Sequence, residues 1–240
     1  MKICVVIPTY NEHDNISAFV GAVYGVMHGD VTVCVVDDNS PDGTGQDVEA
    51  LKKIFPSLIL IRRAGKEGLG KAYEQGFREM LARNEFDAIV MIDADFSEHP
   101  LYIPDLLARL KEADVVVGSR YAPGAKIVGW SLWRRVLSLG GNFYARMITQ
   151  IPLYDMTMGF AAIRSDYLRK VDFATINASG YAFIMELKNA LLKAGARFSE
   201  MPITFNERLG GESKFSGHII SEGIIAPWRI RFPDRFKKTR

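Results

Sequence analysis

Acidic residues follow three separate apolar runs in this chain. "IVMIDADFSEHP" carries Asp93 and Asp95 two apart, "VVDDNSPDGT" carries Asp37 and Asp38, and "PTYNE" carries Glu12. Two carboxylates at i and i+2 beyond a strand end can share one edge and leave room for a hard divalent ion. Mg²⁺ commonly takes one or two carboxylates together with substrate phosphate oxygens and water, and an ion so held neutralises a departing diphosphate. A solvated turn with two incidental acids has the same spelling, because D-x-D is a common pattern. Acids at the ends of three runs are more than packing asks for.

A second stretch imitates phosphate chemistry. Gly65 to Lys71 read G-x-x-x-x-G-K after the apolar run "LILI". A Walker loop continues with Ser or Thr, whose hydroxyl holds Mg²⁺; here Ala72 follows, which argues against an ATPase. Gly65, Gly68 and Gly70 still permit close approach of backbone to a ligand before a helix begins. An ordinary strand-to-helix loop is the plainer reading, with Lys71 a solvated residue at the start of the helix.

The elements that must position these residues alternate regularly. "KICVVIP", "VTVCVVDD", "LILI", "AIVMIDAD" and "DVVVG" read as buried strands. Between them Ile16, Phe19, Val20, Val23 and Met27, then Val48, Leu51 and Phe55, then Phe77, Met80 and Leu81, then Ile103, Leu106, Leu107 and Leu110 recur at helical spacing. Continuous apolar strands separated by helices predict an α/β fold, a mostly parallel central sheet flanked by helices. Ligands in such sheets bind beyond the carboxyl ends of the strands, where the acids lie. After residue 120 the strand signal weakens, and "FSEMPITFNE" reads as one late strand.

The 240 residues suit one large domain with a small C-terminal extension. A net charge of +2 gives no global argument for nucleic acid. Charge is nevertheless uneven: residues 122–150 carry Lys126, Arg134, Arg135 and Arg146 with no acid, and the end "WRIRFPDRFKKTR" is basic. These are either solvated faces or a surface that meets anionic lipid or phosphate. Within "GWSLWRRVLSLGGNFYARMITQIP", Trp133, Val136, Leu137, Tyr144, Met147 and Ile148 fall at helical spacing, as in an interfacial amphipathic helix or in a helix packed on the sheet. No apolar run reaches the ~18 residues of a spanning helix, and the start shows no signal-peptide pattern. The two cysteines, Cys4 and Cys34, fall inside strands without metal-ligand spacing, as buried reduced thiols do. The expected location is cytoplasmic, peripheral to the cytosolic face of a membrane.

Taken in order, "VVIPTYNE", "VVDDNSPDGT", "GLGKAY", "MIDADFSEHP", "VGSRY", "DMTMGF", "GYAFIMEL" and "FNERLGGESKFS" resemble the dolichol-phosphate mannose synthases, inverting family-two glycosyltransferases with a GT-A type nucleotide-sugar-binding fold. The likeness runs from about residue 3 to residue 216. It implies a glycosyltransferase domain over 1–216 with an acceptor-side extension, and a basic tail at 217–240 on the membrane surface. It places the nucleotide on Pro8, Tyr10, Glu12, Val36 and Asp38. It assigns Asp93, Ala94 and Asp95 to Mg²⁺ or Mn²⁺ and the sugar diphosphate, and adds Ser97 as a further metal contact where some relatives have Gln. It sets Arg120, Arg208 and Lys214 on phosphate, and Asp155, Gly159 and Phe160 near the acceptor.

The implied substrates are GDP-mannose and dolichol or another polyprenyl phosphate, with a membrane surface and a membrane-spanning subunit as partners. A phosphate monoester is already anionic near pH 7, its second pKa being about 6. The nucleophile then needs no general base, and Asp93, Asp95, Arg208 and Lys214 would act by positioning and charge neutralisation. A UDP-glucose-dependent polyprenyl-phosphate glucosyltransferase and a non-catalytic nucleotide-sugar binding module remain the competing readings.

Overall fold

The computed structural model describes the chain apart from residues 177, 179, 208–216 and 237–240. Its first half is a run of strand and helix: β1 (Ile3–Thr9), α1 (His13–Val26), β2 (Thr32–Asp37), α2 (Thr44–Leu51), β3 (Leu58–Arg62), α3 (Leu69–Ala82) and β4 (Ala88–Met91). There follow α4 (Ile103–Arg109), β5 (Val115–Ser119), β6 (Lys126–Ile127) and α5 (Leu132–Thr149). The last part comprises β7 (Ala161–Arg164), α6 (Ser165–Leu168), α7 (Tyr181–Lys193), β8 (Phe198–Pro202), β9 (Thr204–Phe205) and α8 (Gly217–Arg231). Every residue of β1, β4 and β5 is buried, which explains why these strands read as unbroken apolar runs rather than as alternation.

Among the described residues the main sheet has seven strands in the order β3-β2-β1-β4-β7-β5-β8. The chain works outward from β1 through β2 to β3, then crosses back to place β4 on the other side of β1. Right-handed crossovers on either side of such a reversal put their helices on opposite faces. Accordingly α1 packs against α2, whereas α3 packs against β1, β2 and α7. The reversal also opens a crevice between the carboxyl ends of β1 and β4, the usual ligand site of an open α/β sheet.

Two features depart from the sequence reading. β7 has no counterpart in it, yet it runs antiparallel between β4 and β5 and joins the two halves of the sheet. The single late strand is two. β8 follows β5 in parallel until Ser119 meets Pro202, and β9 then pairs with β6 in a separate small sheet. The change of partner has a local cause. The Ser119 hydroxyl accepts from the N–H groups of Tyr121 and Ala122, turning the chain out of β5. Residue 126 then takes over, its N–H donating to the Ile203 carbonyl.

Candidate active site

Pro8 and Val36 face one another in the β1–β2 register, one step before the ends of both strands. Thr9 closes β1 by donating its hydroxyl to Asp37 Oδ1 at 3.0 Å. The next residue, Tyr10, lies under an amine from the glycine loop, Lys66 Nζ being 3.8 Å from the ring centroid. Glu12 caps the start of α1 with its carbonyl, and its own N–H donates to the Thr44 hydroxyl of α2. Four of the five residues assigned to the nucleotide thus gather at adjacent strand ends.

Asp38, the fifth, is buried and engaged. Its Oδ1 accepts a hydrogen bond from Arg63, the residue just past β3, and Oδ2 accepts from the N–H groups of Glu67 and Gly68. Arg63 is itself held by Gln75 Oε1 on α3. The glycine loop is therefore tied to the end of β2 by a carboxylate. Its three glycines do different things. Gly68 precedes α3 at φ +100°, a conformation that favours glycine. Gly70 lies inside α3, where a Cβ would come within 2.7 Å of the Phe183 side chain on α7. Gly65 has open space around it. Gly70 is small so that two helices can meet. Lys71, paired with Glu74 at 2.8 Å and 42% exposed, is the solvated helix-start residue the sequence indicates.

Asp93, Ala94 and Asp95 follow β4 after the single residue Ile92, beside the end of β1. Asp93 Oδ1 accepts from the Tyr73 hydroxyl of α3 at 3.0 Å. Asp95 is buried, and its Oδ1 accepts from the N–H of Ser97 at 2.9 Å. That turn requires Phe96 at φ 57°, unusual for a bulky residue. The Phe96 ring is anchored edge-on against Phe19, centroids 4.9 Å apart. Ser97 is buried, and besides the N–H bond its carbonyl accepts from the N–H of Asn206. Arg208 and Lys214 lie outside the described residues.

Glu98 is the acid the sequence reading passed over. It is buried, its Oε2 has no hydrogen-bond partner among the described residues, and burial followed by Asp93 and Asp95 pushes its carboxyl well above the usual range. Acidic charge has thus accumulated at this strand end. Among the described residues no three acids, histidines or cysteines are arranged to hold an ion by themselves. Asp93 and Asp95 offer a two-carboxylate oxygen set, the kind that suits Mg²⁺ or Mn²⁺ with water and substrate oxygens completing the shell.

At the end of β5, Arg120 donates from Nε and Nη2 to the two oxygens of Asp155, both at 2.8 Å, and Nη2 also reaches Thr157 Oγ1 at 2.7 Å. The resemblance assigns Arg120 to phosphate; the structure shows two of its nitrogens given to a carboxylate. Burial alone would raise the Asp155 carboxyl, but Arg120 outweighs it and holds the pKa below its usual value. Lys188, buried on α7, donates to the Asp155 carbonyl at 2.7 Å, and desolvation pulls its pKa down to about 8. Phe160 is buried against β5, where a Cβ on Gly118 would lie 2.7 Å from its ring. Gly159 lies on the α7 side, near Ile184.

This cluster also carries α5. The Tyr121 hydroxyl donates to Ser138 Oγ, and Asn142 Oδ1 accepts from the N–H of Met156, both at 2.7 Å. α5 turns Asn142, Ala145 and Thr149 inward and leaves Trp133 73% exposed, with Leu132, Val136, Leu137, Phe143 and Met147 also exposed. α8, at the start of the expected basic tail, packs against α5 and α7. Tyr144 donates to the Ile224 carbonyl and accepts from Trp228 Nε1. Between α5 and α8 runs an apolar groove of about 480 Å³ lined by Trp133, Val136, Leu137, Tyr144 and Ile224. Among the described residues no helix is long and apolar enough to cross a membrane.

The fold matches that of glucosyl-3-phosphoglycerate synthase from Mycobacterium tuberculosis. One structure of that enzyme, with Mn²⁺, UDP and glucosyl-3-phosphoglycerate, superposes with a TM-score of 0.67 at 20% identity, covering 96% of this chain and 79% of that one. A second, with Mg²⁺ and UDP, gives 0.66 at 20% identity with the same coverage. At such identity the likeness is one of fold, and the fold is the GT-A type. The description "Glycosyl transferase family 2" matches residues 4–172, and the chain belongs to that family of enzymes. The undecaprenyl-phosphate mannosyltransferase of Micrococcus luteus is 40% identical over 240 residues, covering all of this chain and 98% of its own. The polyprenol monophosphomannose synthase of Mycolicibacterium smegmatis is 39% identical over 231 residues, 95% of this chain and 86% of its own.

Proposed function

We propose that this protein transfers mannose from GDP-mannose to the phosphate of a polyprenyl phosphate, giving a β-linked lipid-phosphate mannose. The observation that carries the reading is that one cluster, Arg120 with Asp155, stands at the sheet end that carries Asp93 and Asp95 and also anchors α5, whose apolar side chains face outward. A water-soluble donor and a membrane-borne acceptor call for that combination. The two full-length relatives, named for mannose transfer to polyprenyl phosphates, support the choice of substrates.

Pro8, Tyr10, Glu12, Val36 and Asp38 would hold the nucleotide at the ends of β1 and β2. Asp93 and Asp95 would hold Mg²⁺ or Mn²⁺, with Ser97 as a further contact; the ion, when bound, supplies charge neutralisation for the diphosphate. Arg120, Arg208 and Lys214 add positive charge for phosphate groups, suited by guanidinium geometry in the case of the arginines. The acceptor's phosphate oxygen attacks the anomeric carbon as the bond to the diphosphate breaks. GDP departs with the electron pair, and no proton has to be taken from the nucleophile. The exposed face of α5, the groove beside α8 and the basic segment at 217–240 form the surface that meets the bilayer, as interfacial helices do. A membrane-spanning subunit fits the same surface. Residues 1–216 constitute the catalytic domain.

The test is transfer of label. The protein is incubated with Mn²⁺, a short polyprenyl phosphate and either radiolabelled GDP-mannose or UDP-glucose, and the lipid is extracted. Label in the organic phase from GDP-mannose supports the reading; label from UDP-glucose alone replaces it with the glucosyltransferase; label from neither leaves a binding module.

A further inference from the structure

Tyr73 stands apart from every residue assigned to the nucleotide, the ion or the acceptor. It is fully buried on α3, and its hydroxyl donates to Asp93 Oδ1 at 3.0 Å across the gap between helix and sheet. Its ring lies near those of Phe77 and Phe183, with centroids 5.6 and 6.4 Å away. Two glycines on the same helix fix where that hydroxyl sits. A Cβ on Gly70 would come within 2.7 Å of Phe183, and one on Gly76 within 2.7 Å of Val6 Cγ1 and 3.0 Å of Val36 Cγ2. α3 is thereby seated against α7 and against strands β1 and β2. A phenol, whose ordinary pKa is about 10, is a hydrogen-bond donor throughout the neutral range.

We propose that Tyr73 is a positioning residue that fixes the Asp93 carboxylate for the divalent ion and the donor diphosphate. The proposal rests on the ion reading given above. A carboxylate with one oxygen pinned by a buried donor has fewer rotamers to lose when it takes a ligand, and preorganised groups of this kind account for much of a site's power. The same arrangement explains "GLGKAY": its glycines bring a tyrosine to the acid, where a P-loop would bring backbone to phosphate.

Mn²⁺ binding in the presence of GDP tests the proposal directly, read from the electron paramagnetic resonance of free Mn²⁺, beside kcat and the thermal midpoint. Tyr73→Phe keeps the ring and removes the hydroxyl. It is expected to weaken Mn²⁺ binding about tenfold or more, in line with loss of a hydrogen bond to a charged group, and to lower kcat with it. Phe77→Leu, a buried neighbour on the same helix, is the control: it is expected to lower the thermal midpoint and leave Mn²⁺ affinity unchanged. Wild-type affinity and kcat in Tyr73→Phe would overturn the proposal while leaving the ion reading in place. Absence of Mn²⁺ binding by the wild-type protein would overturn both.

Discussion

Arg120 and Asp155, thirty-five positions apart, form a buried two-pronged ion pair with both N···O distances at 2.8 Å. The pair fastens the turn after β5 to the segment before β7, and both segments hold α5. A buried pair broken on one side leaves an uncompensated charge, which costs about 3–5 kcal/mol. Asp155→Ala is therefore expected to lower unfolding free energy by that order in urea titrations. Arg120→Lys should recover little of the wild-type stability, because an ammonium cannot supply the planar fork. The depressed Asp155 carboxyl also sets a pH window. Its stabilisation is complete above the unfolded value near 3.8 and is lost as pH falls through the lower folded value.

Asp95 is held by the Ser97 N–H on a turn strained at Phe96. Asp95→Asn retains that hydrogen bond and removes the charge. Its kcat should fall by about 10²–10³-fold, the range seen when one electrostatic contact to a developing charge is removed. Steady-state kinetics beside a thermal scan checks this, the midpoint staying near that of the wild type.

Glu98 gives a stability effect of opposite sign to that of Asp155. Its carboxyl is raised by burial and by Asp93 and Asp95, so the folded state keeps a proton that the unfolded chain gives up above about pH 4.5. Stability from this group is complete below that value and declines as pH rises through the folded pKa. Glu98→Gln removes the dependence. With chelator present, the variant is expected to match the wild type near pH 4 and to exceed it at pH 8, by about 1–3 kcal/mol for an ill-satisfied buried group.

The central sheet was legible because both of its faces are covered. Unbroken apolar runs such as Val33–Val36 and Val115–Val117 have no other economical use in a chain with helices between them. The acids at the strand ends were legible for the complementary reason, that packing does not call for them. β7 was not legible: it is four residues long, begins with two alanines, and gains its identity only from β4 and β5 on either side. Tyr73 and Glu98 were hidden in quoted motifs. A tyrosine at helical spacing reads as core, and only the fold shows that its hydroxyl reaches an acid twenty positions later. The Arg120–Asp155 pair likewise depends on a contact that no local pattern encodes. Arg63 gives no signal beyond its place one residue after β3.

The exposed apolar side of α5 should make vesicle binding sensitive to charge placed there. Trp133→Asp combined with Leu137→Asp is expected to reduce co-sedimentation with anionic vesicles at least about tenfold, since each apolar side chain withdrawn from water contributes on the order of 1.5–3 kcal/mol. The thermal midpoint should hardly move, both side chains being exposed already. Equal sedimentation of variant and wild type would remove α5 from the membrane surface.

The configuration of the new glycosidic bond is the most direct test of the proposed transfer. The purified protein, GDP-α-mannose, Mn²⁺ and a short polyprenyl phosphate are combined, the lipid product is extracted, and the anomeric configuration is read by nuclear magnetic resonance. A β-linked mannosyl phosphate is predicted, the outcome of one in-line displacement by an acceptor already ionised. An α-linked product, or mannose that never enters the organic phase, would contradict it.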